Sequence, residues 1–135
     1  MSKGTKGTKV VDGLYYTKEH EWAKVQGDVV IIGITDYAQH ALHEITFVEI
    51  MEPGTTVNAG DECGLVESMK ASSDVFSPVS GQITEVNTAL EDAPEIVNED
   101  PYGKGWMCKI KPSNPKQDLK KLMDGKAYAA FISPK

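Results

Sequence analysis

The sequence predicts a mainly β protein with a few short helices, some of them at the C-terminal end. Three observations carry that expectation. Short runs rich in Val, Ile and Thr recur along the chain, each bounded by Gly, Pro, Asn or Asp. Apolar residues at helical spacing are confined to one stretch near the middle and to the C-terminal segment. The length, 135 residues, suits one domain. Such a chain buries roughly 65–70% of its unfolded surface, so a core forms without staples.

The elements follow in chain order. Residues 1–12 are rich in Gly, Lys and Thr and read as a mobile arm, leaving a single domain over 13–135. HEWAKV (20–25) and DVVIIGIT (28–35) read as two strands joined at Gly27, a hairpin signal. Thr35 caps a short helix through DYAQHAL, whose Ala38, Ala41 and Leu42 fall at i, i+3, i+4. ITFVEI (45–50) is a β-branched strand ended by Pro53-Gly54.

DECGLVES (61–68) and ASSDVF (71–76) are strands meeting at Met69-Lys70, and QITEVN (82–87) follows Pro78 and Gly81. PEIVNEDPYGKG (94–105) reads as a loop, and WMCKIK (106–111) as the last strand. Asn114-Pro115-Lys116-Gln117 then has the form of a capping box. Leu119, Leu122 and Met123 follow at helical spacing, Asp124-Gly125 interrupts, and Tyr128, Phe131 and Ile132 repeat the pattern.

Charge narrows the function classes. The formal net charge is −6, and all 14 basic residues are lysine. Arginine is the usual fork for phosphates and base edges. An acidic chain without it suits neither nucleic acid nor an anionic membrane, and its partners are expected to be proteins with basic surfaces. No apolar run approaches the ~20 residues needed to span a bilayer. The N-terminus has no apolar segment behind its lysines, so it fails as a secretory signal. The expected compartment is the cytoplasm, or the mitochondrial matrix in a eukaryote.

Catalytic patterns are absent: no GxGxxG, Walker loop, HExxH or GxSxG occurs. His40 and His43, with Glu44 next, form one edge of a metal site at most, and surface histidines are the plainer reading. Cys63 and Cys108 lack zinc spacing. They read as small apolar residues on strands, with a disulfide or redox pair as the other possibility. No metal and no intrinsic catalysis are expected.

Lys70 is the residue that local rules do not explain. A tight hairpin normally carries Asn-Gly or a similar pair, because those residues tolerate positive φ. Met69-Lys70 is poor turn chemistry, and such failures mark functional sites. Two strands meeting there push the amine far out of the fold. An exposed ammonium is a weak nucleophile and a weak contact, so its value is as an attachment point. Once acylated it becomes the base of a long arm that keeps its cargo at high local concentration.

These residues, taken together, resemble the H protein of the glycine cleavage system. The similar segments are HEW (20–22), GITDYAQ (33–39), ESMKASSD (67–74), SPVSG (77–81), VNEDPYG (97–103) and GWMCKIKP (105–112). The resemblance covers about Leu14 to Ile132. It implies a lipoyl-domain-like barrel-sandwich hybrid with added C-terminal helices. It implies lipoate in amide linkage on Lys70, framed by Glu67, Ser68, Met69 and Ala71 and installed by a lipoate ligase or lipoyl transferase. The implied partners are glycine decarboxylase, a pyridoxal-phosphate (PLP) enzyme, a tetrahydrofolate-dependent aminomethyltransferase, and dihydrolipoyl dehydrogenase, a flavoenzyme using FAD. The family member is a monomeric shuttle, not an enzyme. It tucks the loaded arm into a surface cleft, where acidic residues meet the cargo amine. The matching positions are Glu21 and Asp74, with Glu19 beside them.

The chain departs from the family at several points. Met69 stands where valine is usual and His43 where glycine is usual, and neither Cys63 nor Cys108 is a family feature. Met before the lysine marks biotinyl carriers, but those also have Met after it, and here Ala71 follows. The alternatives are an H-like lipoate-binding protein carrying sulfur and electrons for a heterodisulfide-reductase-like system, a biotinyl carrier, and an interaction module with an inert lysine.

Overall fold

The computed structural model describes residues 8–133. It contains two antiparallel sheets with short helices between and after them. The larger sheet is ordered β1-β2-β3-β9-β8-β5, from Tyr15–Tyr16, Glu21–Gln26, Val29–Ile34, Cys108–Pro112, Gly81–Val86 and Thr56–Val57. The smaller is ordered β4-β6-β7, from Ile45–Ile50, Glu62–Ser68 and Ser72–Phe76. No closed barrel forms among the described residues, so the expected hybrid takes the form of two sheets. No helix among the described residues is long and apolar enough to cross a membrane.

The period-2 pattern of the strands explains the core. Val30 and Ile32 of β3 turn inward with Ile110 of β9 and Ile83 of β8. They meet Ile45, Val48, Val66 and Val75 of the smaller sheet in one buried cluster. Cys63 and Cys108 lie in it, fully buried and free, which fits the small-apolar reading. The adjacent Cys63 thiol, together with burial, pushes the Cys108 thiol well above its ordinary value.

A second cluster covers the other face of the larger sheet. Trp22 lies there with Leu14, Tyr16, and Tyr128 and Ile132 of α5 (Gly125–Ile132). Trp22 sits directly over Gly33: a Cβ at Gly33 would come within 2.8 Å of the indole. The indole N–H donates to the Pro101 carbonyl at 3.0 Å. The C-terminal segment is anchored to β1 by two backbone bonds between Tyr16 and Met123, at 2.8 and 2.9 Å.

Several local expectations change. The stretch 94–105 is not all loop, since α3 (Ile96–Glu99) occupies part of it, after α2 (Ala89–Asp92). The capping box over 114–117 does not close: the Asn114 amide donates to the Gln117 side chain at 2.7 Å and caps no backbone group. α4 (Pro115–Lys120) still begins at the proline. Asp124-Gly125 is a helix start, because Asp124 accepts the Ala127 N–H at 2.8 Å. Of the arm expected over 1–12, residues 1–7 lie outside the described residues. Beyond them, Lys9 donates its N–H to Asp36 at 2.7 Å, and Val11 exchanges two bonds with the Tyr16 hydroxyl. Thr35 caps α1 (Asp36–Leu42) as expected, accepting the Ala38 N–H at 3.2 Å.

Candidate functional site: a lysine at a hairpin tip and a groove behind it

β6 and β7 pair with Glu67 opposite Ser72, so Ser68 faces Ala71 and the tip is Met69-Lys70. Neither tip residue has positive φ, so the turn is not of the primed kind. Ser68 replaces that chemistry. Its N–H donates to the Ala71 carbonyl at 2.8 Å. Its hydroxyl oxygen accepts from Ala71 N–H at 3.2 Å and, at the long limit of 3.4 Å, from Lys70 N–H. This side-chain turn leaves the tip free to carry any residue. Met69, Lys70 and Ala71 are all exposed, Met69 by 86%. Among the described residues, Lys70 has no ion-pair partner. Glu67 is half-buried in the paired part of β6, opposite Phe47 of β4.

The three acidic positions fall in different settings. Glu19 is exposed in the turn before β2. Asp74 is exposed on β7 opposite Leu65, and its carboxylate makes no hydrogen bond or ion pair among the described residues. Glu21 is buried, with 1% of its surface exposed. Its Oε1 receives the Thr17 hydroxyl at 2.5 Å, and its Oε2 the Phe76 N–H at 3.0 Å. Burial pushes its carboxyl up to about 7 against these two bonds, and the charge of Glu19 pushes the same way. The neighbouring His20 has φ 72°, stacks on Tyr37 at 4.6 Å and hydrogen-bonds through Nδ1 to the Tyr128 hydroxyl at 2.8 Å.

Glu21 opens on a groove of about 190 Å³. Thr17 and Glu19 line one side, Phe76 and Pro78 another, and Asp118 and Leu122 of the C-terminal segment a third. The structure therefore brings Glu19 and Glu21 to one groove, while Asp74 stands on the strand that borders it, two residues from Phe76. Thr17, Phe76 and the wall at 118–122 were not singled out from sequence. Only a threonine four residues before the glutamate hinted at the first. The others meet it through tertiary packing. His40 contacts Asp36 of its own helix at 3.5 Å.

Known proteins resemble this arrangement over nearly its full length. The family model described as glycine cleavage H-protein matches residues 14–135. A probable glycine cleavage system H protein of Thermococcus gammatolerans is 56% identical over 125 residues, covering 92% of each chain. The glycine cleavage system H protein of Anaeromyxobacter sp. (strain K) is 50% identical over 124 residues, covering 92% of this chain and 96% of the relative. A crystal structure of a glycine cleavage system H protein from Mycobacterium marinum superposes with a TM-score of 0.82 at 41% identity, covering 90% of this chain and 97% of that one. These relatives do not favour the sulfur-oxidation alternative. The chain belongs to the glycine cleavage H-protein family.

Proposed function

We propose that Lys70 carries lipoate in amide linkage and that the chain is the lipoyl shuttle of glycine cleavage. The observation that carries this reading is the tip itself: an exposed lysine without an ion pair, presented by a turn that Ser68 builds from its own side chain. A lipoate ligase or lipoyl transferase has open access to such an amine. When bound, the group would supply a dithiolane whose disulfide is the two-electron acceptor for the one-carbon amine, and whose dithiol, left once that unit is passed on, is reoxidised.

This chain's own residues do the rest. The hairpin holds the arm clear of the core, so it reaches the active sites of glycine decarboxylase, the aminomethyltransferase and dihydrolipoyl dehydrogenase in turn. Phe76 lies six residues beyond Lys70, roughly 20 Å along the strand at ~3.3 Å per residue. A long acylated lysine folded back along β7 points its end toward this groove. The groove beside Phe76 gives the arm an apolar wall that excludes water, and Glu21 offers its buried carboxylate to the cargo's ammonium. Asp74 and Glu19 add negative charge at the rim. The protein itself catalyses no step and works as a monomer in the cytoplasm.

Glycine-dependent exchange of labelled bicarbonate with glycine decarboxylase tests this. Lipoylated protein should support exchange and unlipoylated protein should not. A lipoylated form that supports no exchange would remove glycine cleavage and leave the carrier.

A further inference from the structure

Thr17 and Glu21 form a small hydrogen-bonded unit. The Thr17 hydroxyl oxygen lies 3.0 Å from the Glu21 nitrogen and 3.2 Å from the Glu19 nitrogen, accepting from both N–H groups. A hydroxyl has two acceptor lone pairs and one proton. Both lone pairs are taken, so the proton must point elsewhere, and Glu21 Oε1 is 2.5 Å away. Thr17 is therefore the donor of that bond. The other carboxyl oxygen faces the Phe76 N–H, which can only donate. Neither neighbour can accept a proton from a neutral carboxyl, and both favour the ionised form. Burial opposes them and pushes the carboxyl up to about 7, so it is close to half-ionised at ordinary pH. A small change in donors therefore tips the balance.

The other groups around the groove do not supply this control. Glu19 and His20 come from the same segment as Glu21, and the hydroxyl of Tyr128 from α5. Beyond α4's Asp118 lies Lys121, the one cation among the lining residues. Asp118 is committed to the Ser80 N–H at 2.8 Å. The wall at Phe76, Ser77 and Pro78 has no titratable side chain.

From this geometry we infer that Thr17 is a positioning residue that holds Glu21 as a hydrogen-bond acceptor. What Thr17 adds to the retention of the loaded arm, already implied by the reading of Glu21, is a carboxylate held accepting toward an ammonium, which can only donate. This rests on the reading of Glu21 as the cargo's partner given above.

The test uses the full chain with Thr17→Val, Thr17→Ser and Glu21→Gln. Carbon-13 NMR of the Glu21 carboxyl in unlipoylated protein should give a midpoint higher by about one pH unit or more in Thr17→Val. Thr17→Ser should titrate as the parent. With the arm loaded by glycine and glycine decarboxylase, Thr17→Val should lose its cargo several-fold faster at pH 6.5. The difference should close by pH 9, where both carboxyls are ionised. Thr17→Ala serves the same comparison if the valine disturbs the turn, as judged by the amide spectrum. An unchanged midpoint in the hydroxyl-free variant overturns the inference. So does a shifted midpoint with a parental cargo lifetime while Glu21→Gln shortens it. A parental lifetime in Glu21→Gln as well overturns the reading of Glu21 itself, and the inference with it.

Discussion

The side-chain amide of Asn98 donates to the His43 carbonyl at 2.8 Å, and its oxygen accepts the Ile45 N–H at 2.9 Å. One residue of α3 thus brackets the turn between α1 and β4. His43 has φ 66° and ψ −153°, a conformation open in practice to glycine alone. Strain of this kind costs roughly 1–3 kcal/mol. His43→Gly keeps the backbone bonds and removes the clash, so it should raise stability by ~1 kcal/mol after the glycine's own entropy cost. A higher urea midpoint at unchanged slope is the expected reading. A lower midpoint would mean that the imidazole contributes more than the strain costs.

Ser68 builds the tip of the Lys70 hairpin but lies outside the core. Ser68→Ala removes the side-chain bonds to Lys70 and Ala71. Global stability should fall by less than ~1 kcal/mol. Amide exchange at Lys70 and Ala71 should speed up while exchange at Val66 and Val48 stays as it was. Equal acceleration at all four positions would show that the tip does not open independently of its sheet.

Glu21 makes stability depend on pH in an unusual direction for a carboxylate. Its folded value, about 7, lies above the ordinary 4.5. Below 4.5 both folded and unfolded chains bind the proton, and Glu21 costs nothing. As pH rises toward 7 the unfolded chain releases the proton first, so stability falls, by on the order of 3 kcal/mol at pH 8. Glu21→Gln lacks this term. The loss of unfolding free energy between pH 4.5 and pH 8 should shrink in the variant by that order. Equal losses in the two proteins would show that Glu21 ionises normally in the fold.

The parts of the fold that read directly from sequence are those whose signal is local. The β2–β3 hairpin at Gly27, the Thr35 cap and the strand pair around Lys70 each follow from a few adjacent residues. The two-residue strands β1 and β5 and the four-residue helices α2 and α3 are too short to carry a period. The Asn114 box failed because its side chain found the Gln117 amide first. The proposed attachment lysine was legible because it breaks the turn rules, yet the device that permits the break, the Ser68 hydroxyl, was not. Nothing local marks Glu21 as buried. Its environment comes from Phe76, 55 positions away, and from a C-terminal wall about a hundred residues on. The family resemblance implied a role for it without its setting.

The most direct measurement is the intact mass of the protein after incubation with lipoate, ATP and a lipoate ligase, beside Lys70→Arg treated identically. The account predicts one lipoyl-sized increment in the parent and none in the variant. The variant should unfold at the same urea midpoint, because the Lys70 side chain is exposed and makes no ion pair among the described residues. No increment in the parent, or an equal increment in Lys70→Arg, would contradict the assignment of Lys70 as the carrier site.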